Sequence, residues 1–351
     1  MMRQKRRRSG GGLGQAEARD RRVGRPRFDH LDICRIDRSD ALFSMSFEPD
    51  LGRLRESVKQ VGVLEPIWAR EKGSRFQIVN GFRRIDVALG LGKRDVPALV
   101  WKEGEVDDRL AFRMSLHENI LTREFNPAEK ALVIEKLLGW FAMDRDEVIQ
   151  TYLPLLNLEP NETVLCNILV INTFRIETRR YVIEHRTSLG NIMRLAKFSE
   201  EEQETICRFL SALRLGGNVV REILTFLQEI SDRDGVSIHD LLSDPELEII
   251  MSGEGLSGPQ KIDATRRLLR RRRYPRLWEL EQKFRTWRNQ VKLPPQVVVA
   301  PPVFFEGDRF RIEIQFKSVK EYEAILNDLQ NISKDQIKGL LTIKGYGSDT
   351  N

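Results

Sequence analysis

Gly81, Arg83 and Arg84 follow closely on the strand-like segment 76–79 and open an amphipathic stretch, the spacing of a strand, a tight turn and the first turn of a helix. Glycine lets the backbone approach a ligand closely, the free N–H groups of a helix start point outward, and adjacent guanidiniums add charge and paired donors. Together they would cradle phosphate oxygens. A Gly turn ahead of an ordinary exposed helix has the same spacing, so the pattern alone leaves both readings open. Further along come Glu118-Asn119, Arg123 and Asn126-Pro127. A carboxylate beside a carboxamide supplies the hard oxygens of a Mg2+ ion shared with phosphates, although a solvated helix end carries the same pair. Asn126 suits the cap of a helix that Pro127 opens. Three cysteines, Cys34, Cys166 and Cys207, lack CxxC spacing, and the four histidines are not paired, so neither a zinc site nor a disulfide framework is expected and a reducing cytoplasm fits.

These residues need a scaffold, and 351 residues with 40% hydrophobic and 31% charged content allow two or three packed domains. No run reaches the roughly 18–20 apolar residues of a bilayer span, and glycines follow the first arginines where a secretory signal would be apolar. The chain is expected to be α+β. Residues 29–126 are predicted as a small mixed α/β domain, with a helix at 51–61, strands near 66–69, 76–79 and 96–101, a helix from Phe82 to about Leu89 and another through Met114. Residues 127–232 form an all-helical middle domain. Within it 144–156, the turn Glu159-Pro160-Asn161 and 163–174 make a candidate helix-turn-helix, with Pro154 interrupting the first helix. Residues 233–292 are assigned to a linker and basic helical segment, and 293–351 to a small β-β-α module.

The net charge of +6 is unevenly spread. Residues 1–28 hold ten lysines and arginines against Glu17 and Asp20, and residues 264–292 hold eleven against Glu279 and Glu281, so the remainder is acidic. Concentrated cations displace counterions from a phosphate backbone, which makes nucleic acid the leading partner class; solvated tails and faces are the plainer alternative. The first stretch is too polar to order itself and is expected to be a disordered arm. In the second, Arg266, Arg267, Arg270, Arg271 and Arg273 are the candidate contacts to DNA, beside an apolar stripe of Leu277, Leu280, Phe284 and Trp287.

The order and spacing of residues 54–58, Gly62 to Ile67, Val79-Asn80-Gly81-Phe82-Arg83-Arg84, Val96-Pro97-Ala98, and Glu118-Asn119 to Glu129 resembles the N-terminal domain of ParB-type partition proteins, over roughly residues 30–135. The resemblance implies the ParB/sulfiredoxin fold, binding of CTP with Mg2+, and a nucleotide-closed dimer that clamps double-stranded DNA. It implies that Gly81, Arg83, Arg84, Asn119 and Arg123 hold the nucleotide and that Glu118 and Asn119 sit at the metal. It further implies a nucleoid-associated cytoplasmic homodimer in chromosome or plasmid partition, at most a slow DNA-stimulated CTPase. A ParA-type ATPase is the implied partner of the arm, where Gly12-Leu13-Gly14 is similar to the family's docking motif.

Some positions depart from the family pattern. Phe82 replaces a usual Glu, Asp86 a usual Arg and Glu65 a common Gln, while Thr122 stands where Arg is expected, with Arg123 one step later. No cysteine lies near Gly81, which excludes sulfiredoxin chemistry. Two rival functions remain: a nucleotide-dependent kinase or nuclease on the same fold, for which Glu65 and Glu118 are the nearby carboxylates, and a nucleotide-independent DNA scaffold with a degenerate pocket.

Overall fold

The computed structural model describes residues 24–253, 255–291, 293–307, 309–332 and 334–343. The chain divides into two compact units, the first ending at Asn172 and the second beginning at Thr173. Among the described residues no helix is long and apolar enough to cross a membrane, and the cysteines are free. Most of the basic arm, with Gly12-Leu13-Gly14, lies outside the described residues.

The first unit is built on strands β1 (Arg27–Asp32), β2 (Ile36–Asp37), β3 (Ile67–Lys72), β4 (Arg75–Asn80) and β5 (Asp95–Trp101), in the sheet order β1-β5-β3-β4-β2. β3 and β4 form an antiparallel hairpin turned at Gly73, whereas β3 pairs parallel with β5. Parallel neighbours need a long connection. Here it runs through β4 and helix α2 (Phe82–Gly90). Ile67, Ala69, Phe76, Ile78, Val96, Ala98 and Val100 pack with Ile85 and Ala88 of α2 into one core. Residues 76–80 are buried throughout, so β4 is covered on both faces, and helix α3 (Asp108–Thr122) contacts it. Of its two buried polar residues, Gln77 and Asn80, Gln77 is satisfied on both sides: Arg70 Nε donates to its Oε1 at 2.7 Å, and its Nε2 donates to Asp40 Oδ2 at 2.6 Å. Helix α1 (Gly52–Val61) stops at Gly62, whose φ of 78° suits glycine.

Three sequence expectations change here. The arm was assigned through residue 28, yet Arg27 already begins β1, an edge strand paired along its length with β5. Of its residues only Leu31 is buried, so the apolar signal was too thin to read. The Trp101 indole also donates to Gly24 O at 2.8 Å, anchoring the chain just before the strand. Helix α3 runs on to Thr122 rather than ending near Met114, which puts Glu118 and Asn119 in its last turns. Finally, no break falls at 126/127.

Helix α4 (Pro127–Glu135) continues as a π turn, Lys136–Trp140, and stays with the sheet. Lys136 shows why. Its Nζ donates to the carbonyls of Ala41, Leu42 and Ser44 at 2.6, 3.1 and 2.6 Å, tying the helix to the loop between β2 and α1. Burial pulls this ammonium down to a pKa of about 8, while Asp40 and Glu135 pull the other way. Because the folded value lies below the ordinary 10.5, the native state sheds the proton first as pH rises. Stability from this group therefore grows between about pH 8 and about pH 10.5, by up to about 3 kcal/mol. Lys136→Met should flatten that rise: the urea midpoint climbs between about pH 7.5 and about pH 9.5 in the wild type and not in the variant. Equal climbs in both proteins would remove Lys136 as the cause.

The rest of the first unit supplies the two helices expected for a helix-turn-helix. Residues 145–155 are helical through a π turn at Val148–Tyr152, with Pro154 one residue from the end, and Asn161 caps the helix Glu162–Leu169. The latter buries Leu165 and Ile168, exposes Glu162, Thr163 and Cys166, and contains no lysine or arginine.

The second unit is helical up to Gln290. The stretch read as a linker holds two short helices, Ile238–Leu242 and Pro245–Ser252, before the basic helix Gly258–Arg273 and its successor Pro275–Gln290. Strands β6 (Val297–Ala300) and β7 (Arg311–Ile314) pair antiparallel, followed by the helices Val319–Gln330 and Lys334–Thr342. The expected β-β-α module thus gains a helix. It also has no break at 292/293: Leu277, Leu280 and Phe284 pack against a cluster of Trp287, Val291, Val299, Phe305 and Leu340, and the Trp287 indole donates to Gln336 O at 2.7 Å. The apolar stripe read from the sequence is the face that the module covers.

Candidate functional site

The turn from β4 into α2 is where the site begins. Gly81 has φ 103°, and a Cβ added there would stand 2.7 Å from Ile67 Cγ2 on the neighbouring strand. Both the conformation and the space demand glycine. α2 starts at Phe82, which brings Arg83 and Arg84 into its first turn as expected.

All six residues assigned to nucleotide and metal line one cavity of about 190 Å3: Gly81, Arg83, Arg84, Glu118, Asn119 and Arg123. Phe43, Met45, Ser46, Leu54, Glu65, Asn80, Phe82 and Thr122 complete its wall. Convergence of the α2 start with the α3 end is a tertiary fact. α3 lies across β4, and its last turn reaches the level of Asn80, whose Oδ1 accepts from Asn119 Nδ2 at 3.4 Å.

The charged groups are matched rather than free. Arg83 Nη2 and Arg123 Nη1 donate to the two oxygens of Glu129, at 3.0 and 2.6 Å. Glu129 is 2% exposed. Its carboxylate also accepts from the backbone N–H groups of Phe47 and Asn126, at 3.3 and 3.2 Å, the second bond closing the capping box of α4. Arg83 Nε donates to Ser46 Oγ at 3.0 Å. Arg123 Nε donates to Asn119 Oδ1 at 2.9 Å, and its guanidinium sits over the Phe125 ring. Burial lowers the pKa of Arg123 and the neighbouring Arg83 lowers it further, while Glu129 holds it up. The cation persists, since guanidinium remains protonated in proteins.

Arg84 is anchored differently. Its Nη1 donates to the carbonyls of Glu65 and Pro66 at 2.9 and 2.8 Å, with the Glu65 carboxylate 3.5 Å away. Burial lowers its pKa as well, against the opposing charges of Glu65 and Glu118. Glu118 itself is half-buried, and among the described residues its carboxylate has no hydrogen-bond partner. Asn119 is fully engaged, its Oδ1 by Arg123 and its Nδ2 by Ser115 O at 2.8 Å. Among the described residues no three acidic, histidine or cysteine side chains gather into a metal cage. Glu118 therefore fits a hard cation that takes its other ligands from phosphates and water, and Asn119 serves to orient Arg123.

Glu129, Ser46 and Asn80 were not singled out from the sequence as site residues. Glu129 entered only as the end of the stretch that resembles the family; nothing local shows that it faces Arg83, 46 positions earlier.

The assigned DNA contacts lie in the second unit and are mostly matched there. Arg266 pairs with Glu222 at 2.8 Å, Arg270 with Glu281 at 2.9 Å and Arg273 with Glu229 at 2.5 Å, and Arg271 pairs with Glu246. Arg267 is exposed, and among the described residues it has no ion pair. The acidic remainder of the chain thus supplies partners for this basic segment.

Residues 19–120 match the family model of the ParB N-terminal domain. The probable chromosome-partitioning protein ParB of Xylella fastidiosa is 28% identical over 162 residues, 46% of this chain and 49% of that protein. The chromosome-partitioning protein ParB of Myxococcus xanthus is 36% identical over 101 residues, 29% of this chain and 33% of that protein. The matches therefore span half or less of these relatives' length. A crystal structure of C-terminally truncated ParB from Caulobacter crescentus, complexed with CTP-gamma-S, aligns over 52% of this chain and 98% of its own, with 21% identity and a TM-score of 0.25. By the family match and these relatives, the motifs around Gly81 belong to a ParB N-terminal domain, and it is this domain that the chain carries.

Proposed function

We propose that the first unit binds CTP with Mg2+ and that nucleotide controls how the protein holds duplex DNA, in partition or a related process. The observation that carries this is the convergence of Gly81, Arg83, Arg84, Glu118, Asn119 and Arg123 on one cavity. Its size suits phosphate groups rather than a whole nucleotide, which leaves base and ribose to lie toward the apolar wall of Phe43 and Leu54. Charge balance supports a metal requirement: three guanidiniums face the carboxylates of Glu129, Glu65 and Glu118, so an incoming triphosphate brings charge that the protein alone does not offset. Mg2+ bridging Glu118 and the phosphates supplies it.

The backbone N–H groups at the start of α2 and the outer N–H groups of Arg83 would hold phosphate oxygens, with Asn119 and Glu129 keeping Arg123 in place. Equilibrium titration with CTP, ATP, GTP and UTP tests this. Selective CTP binding in Mg2+ should weaken about 10–100-fold in Arg83→Ala and disappear in EDTA. Glu129 keeps Arg123 as partner in that variant, so its fold is retained. Unchanged affinity would reject the site; no binding of any nucleotide would leave the scaffold reading, which the internally matched charges favour.

A further inference from the structure

At the opposite end of α2 and β4 from this cavity lies a second cleft of about 510 Å3. Arg75 at the start of β4, Arg38 after β2, and Lys93 and Arg94 in the turn before β5 all line it, and all four are exposed. Among the described residues none of the four has a carboxylate within ion-pair distance. Two carboxylates share the cleft, each hydrogen-bonded to a neutral group of the same wall while keeping its charge, so the four cations remain in excess by two. Asp37 accepts from the Ser39 hydroxyl at 2.6 Å and its backbone N–H at 3.1 Å, bonds that hold its carboxyl below the usual range with help from Arg75. Asp32 accepts from Cys34 N at 2.9 Å. Asp86, on the outer face of α2, is the remaining acid that senses Arg38.

This is the reverse of the basic helix Gly258–Arg273, where arginines are consumed by internal ion pairs. Phosphate contact requires cations whose counter-charge is mobile solvent ions, because only those ions are released on binding. The candidate recognition helix Glu162–Leu169 offers no cation either. We propose that the cleft of Arg38, Arg75, Lys93 and Arg94 is a contact to the duplex DNA backbone, carried by the first unit itself. The inference rests on the DNA-binding reading above and assigns it a place in the molecule. An open, exposed cleft suits a phosphodiester backbone passing across it.

The test is the salt dependence of affinity for a duplex of arbitrary sequence, measured by fluorescence anisotropy on the full chain. Each lost phosphate contact lowers the slope of log affinity against log salt by about 0.9. The variant Arg38→Gln/Arg75→Gln/Lys93→Gln/Arg94→Gln should lower it by about 3–4. Its CTP affinity and melting temperature should remain those of the wild type. Arg266→Gln/Arg267→Gln/Arg270→Gln/Arg271→Gln removes the same charge and should change the slope by less than about 1. An unchanged slope in the cleft variant, with the wild type binding DNA, overturns the proposal and leaves the DNA reading standing. A wild type that binds no duplex fails both. Saturable binding of inorganic phosphate that the cleft variant loses, with no change in duplex slope, makes the cleft a small-anion site and likewise overturns the proposal.

Discussion

Glu129→Gln is expected to destabilise the first unit by about 3–5 kcal/mol, the range for removing one partner from a buried ion pair. The side chain is 2% exposed and receives two guanidiniums and two backbone N–H groups. Glutamine keeps the shape and one acceptor oxygen, so the cost comes from leaving Arg83 and Arg123 side by side without counter-charge. A capping loss alone is smaller: Asn126→Ala removes the side-chain acceptor for Glu129 N and should cost about 1 kcal/mol. Hydrogen exchange of the β4 and α2 amides in native conditions separates the two, because it reports this unit independently of the other. If Glu129→Gln costs no more than Asn126→Ala, the guanidiniums relax into solvent and the network is not a structural clamp. The same variant should bind CTP more weakly, since two of the three cavity arginines lose their common anchor.

The second large effect is expected at Gly81. Gly81→Ala forces a side-chain-bearing residue into φ 103° and puts its Cβ 2.7 Å from Ile67 Cγ2. Backbone strain of about 1–3 kcal/mol and overpacking of about 1–3 kcal/mol give a combined loss of about 2–6 kcal/mol. The two contributions are separable. Ile67→Ala removes the obstructing methyl group at its own cost of about 2–5 kcal/mol, and in the double variant the penalty of Gly81→Ala should shrink by about 1–3 kcal/mol. Purely additive losses would show that the close approach to Ile67 is not limiting. Phosphate binding should suffer in either background, because the start of α2 has to move to relieve the strain.

The same turn shows how far local patterns reach. The run 76–79, the glycine and the following helix were readable because strand periodicity, a positive-φ position and a helix start are written in consecutive residues. The Asn126-Pro127 cap and the stop of α1 at Gly62 were legible for the same reason. β1 was not, since an exposed edge strand buries only Leu31 and its pairing is with β5, some seventy residues away. The end of α3 was misplaced because its last turns carry Glu118, Asn119 and Thr122, polar residues whose burial depends on what β4 and the 43–46 loop bring against them.

Charge shows the limit most plainly. From composition alone the arginines of 266–273 looked available for DNA, and those at 38, 75, 93 and 94 were scattered and unremarked. Packing reversed the ranking, because Glu222, Glu229, Glu246 and Glu281 come against the first group, and no carboxylate reaches the second within ion-pair distance among the described residues. By itself the sequence determined the elements, the glycine turn, the caps and the residue types of a phosphate-handling site, all consequences of short-range geometry. Only the tertiary structure decided that those residues share one cavity, that Glu129 holds two of its arginines, and which cations stay unpaired. The reason is physical: whether a charge is free depends on counter-charges within a few ångströms, and those arrive from residues far away in the chain.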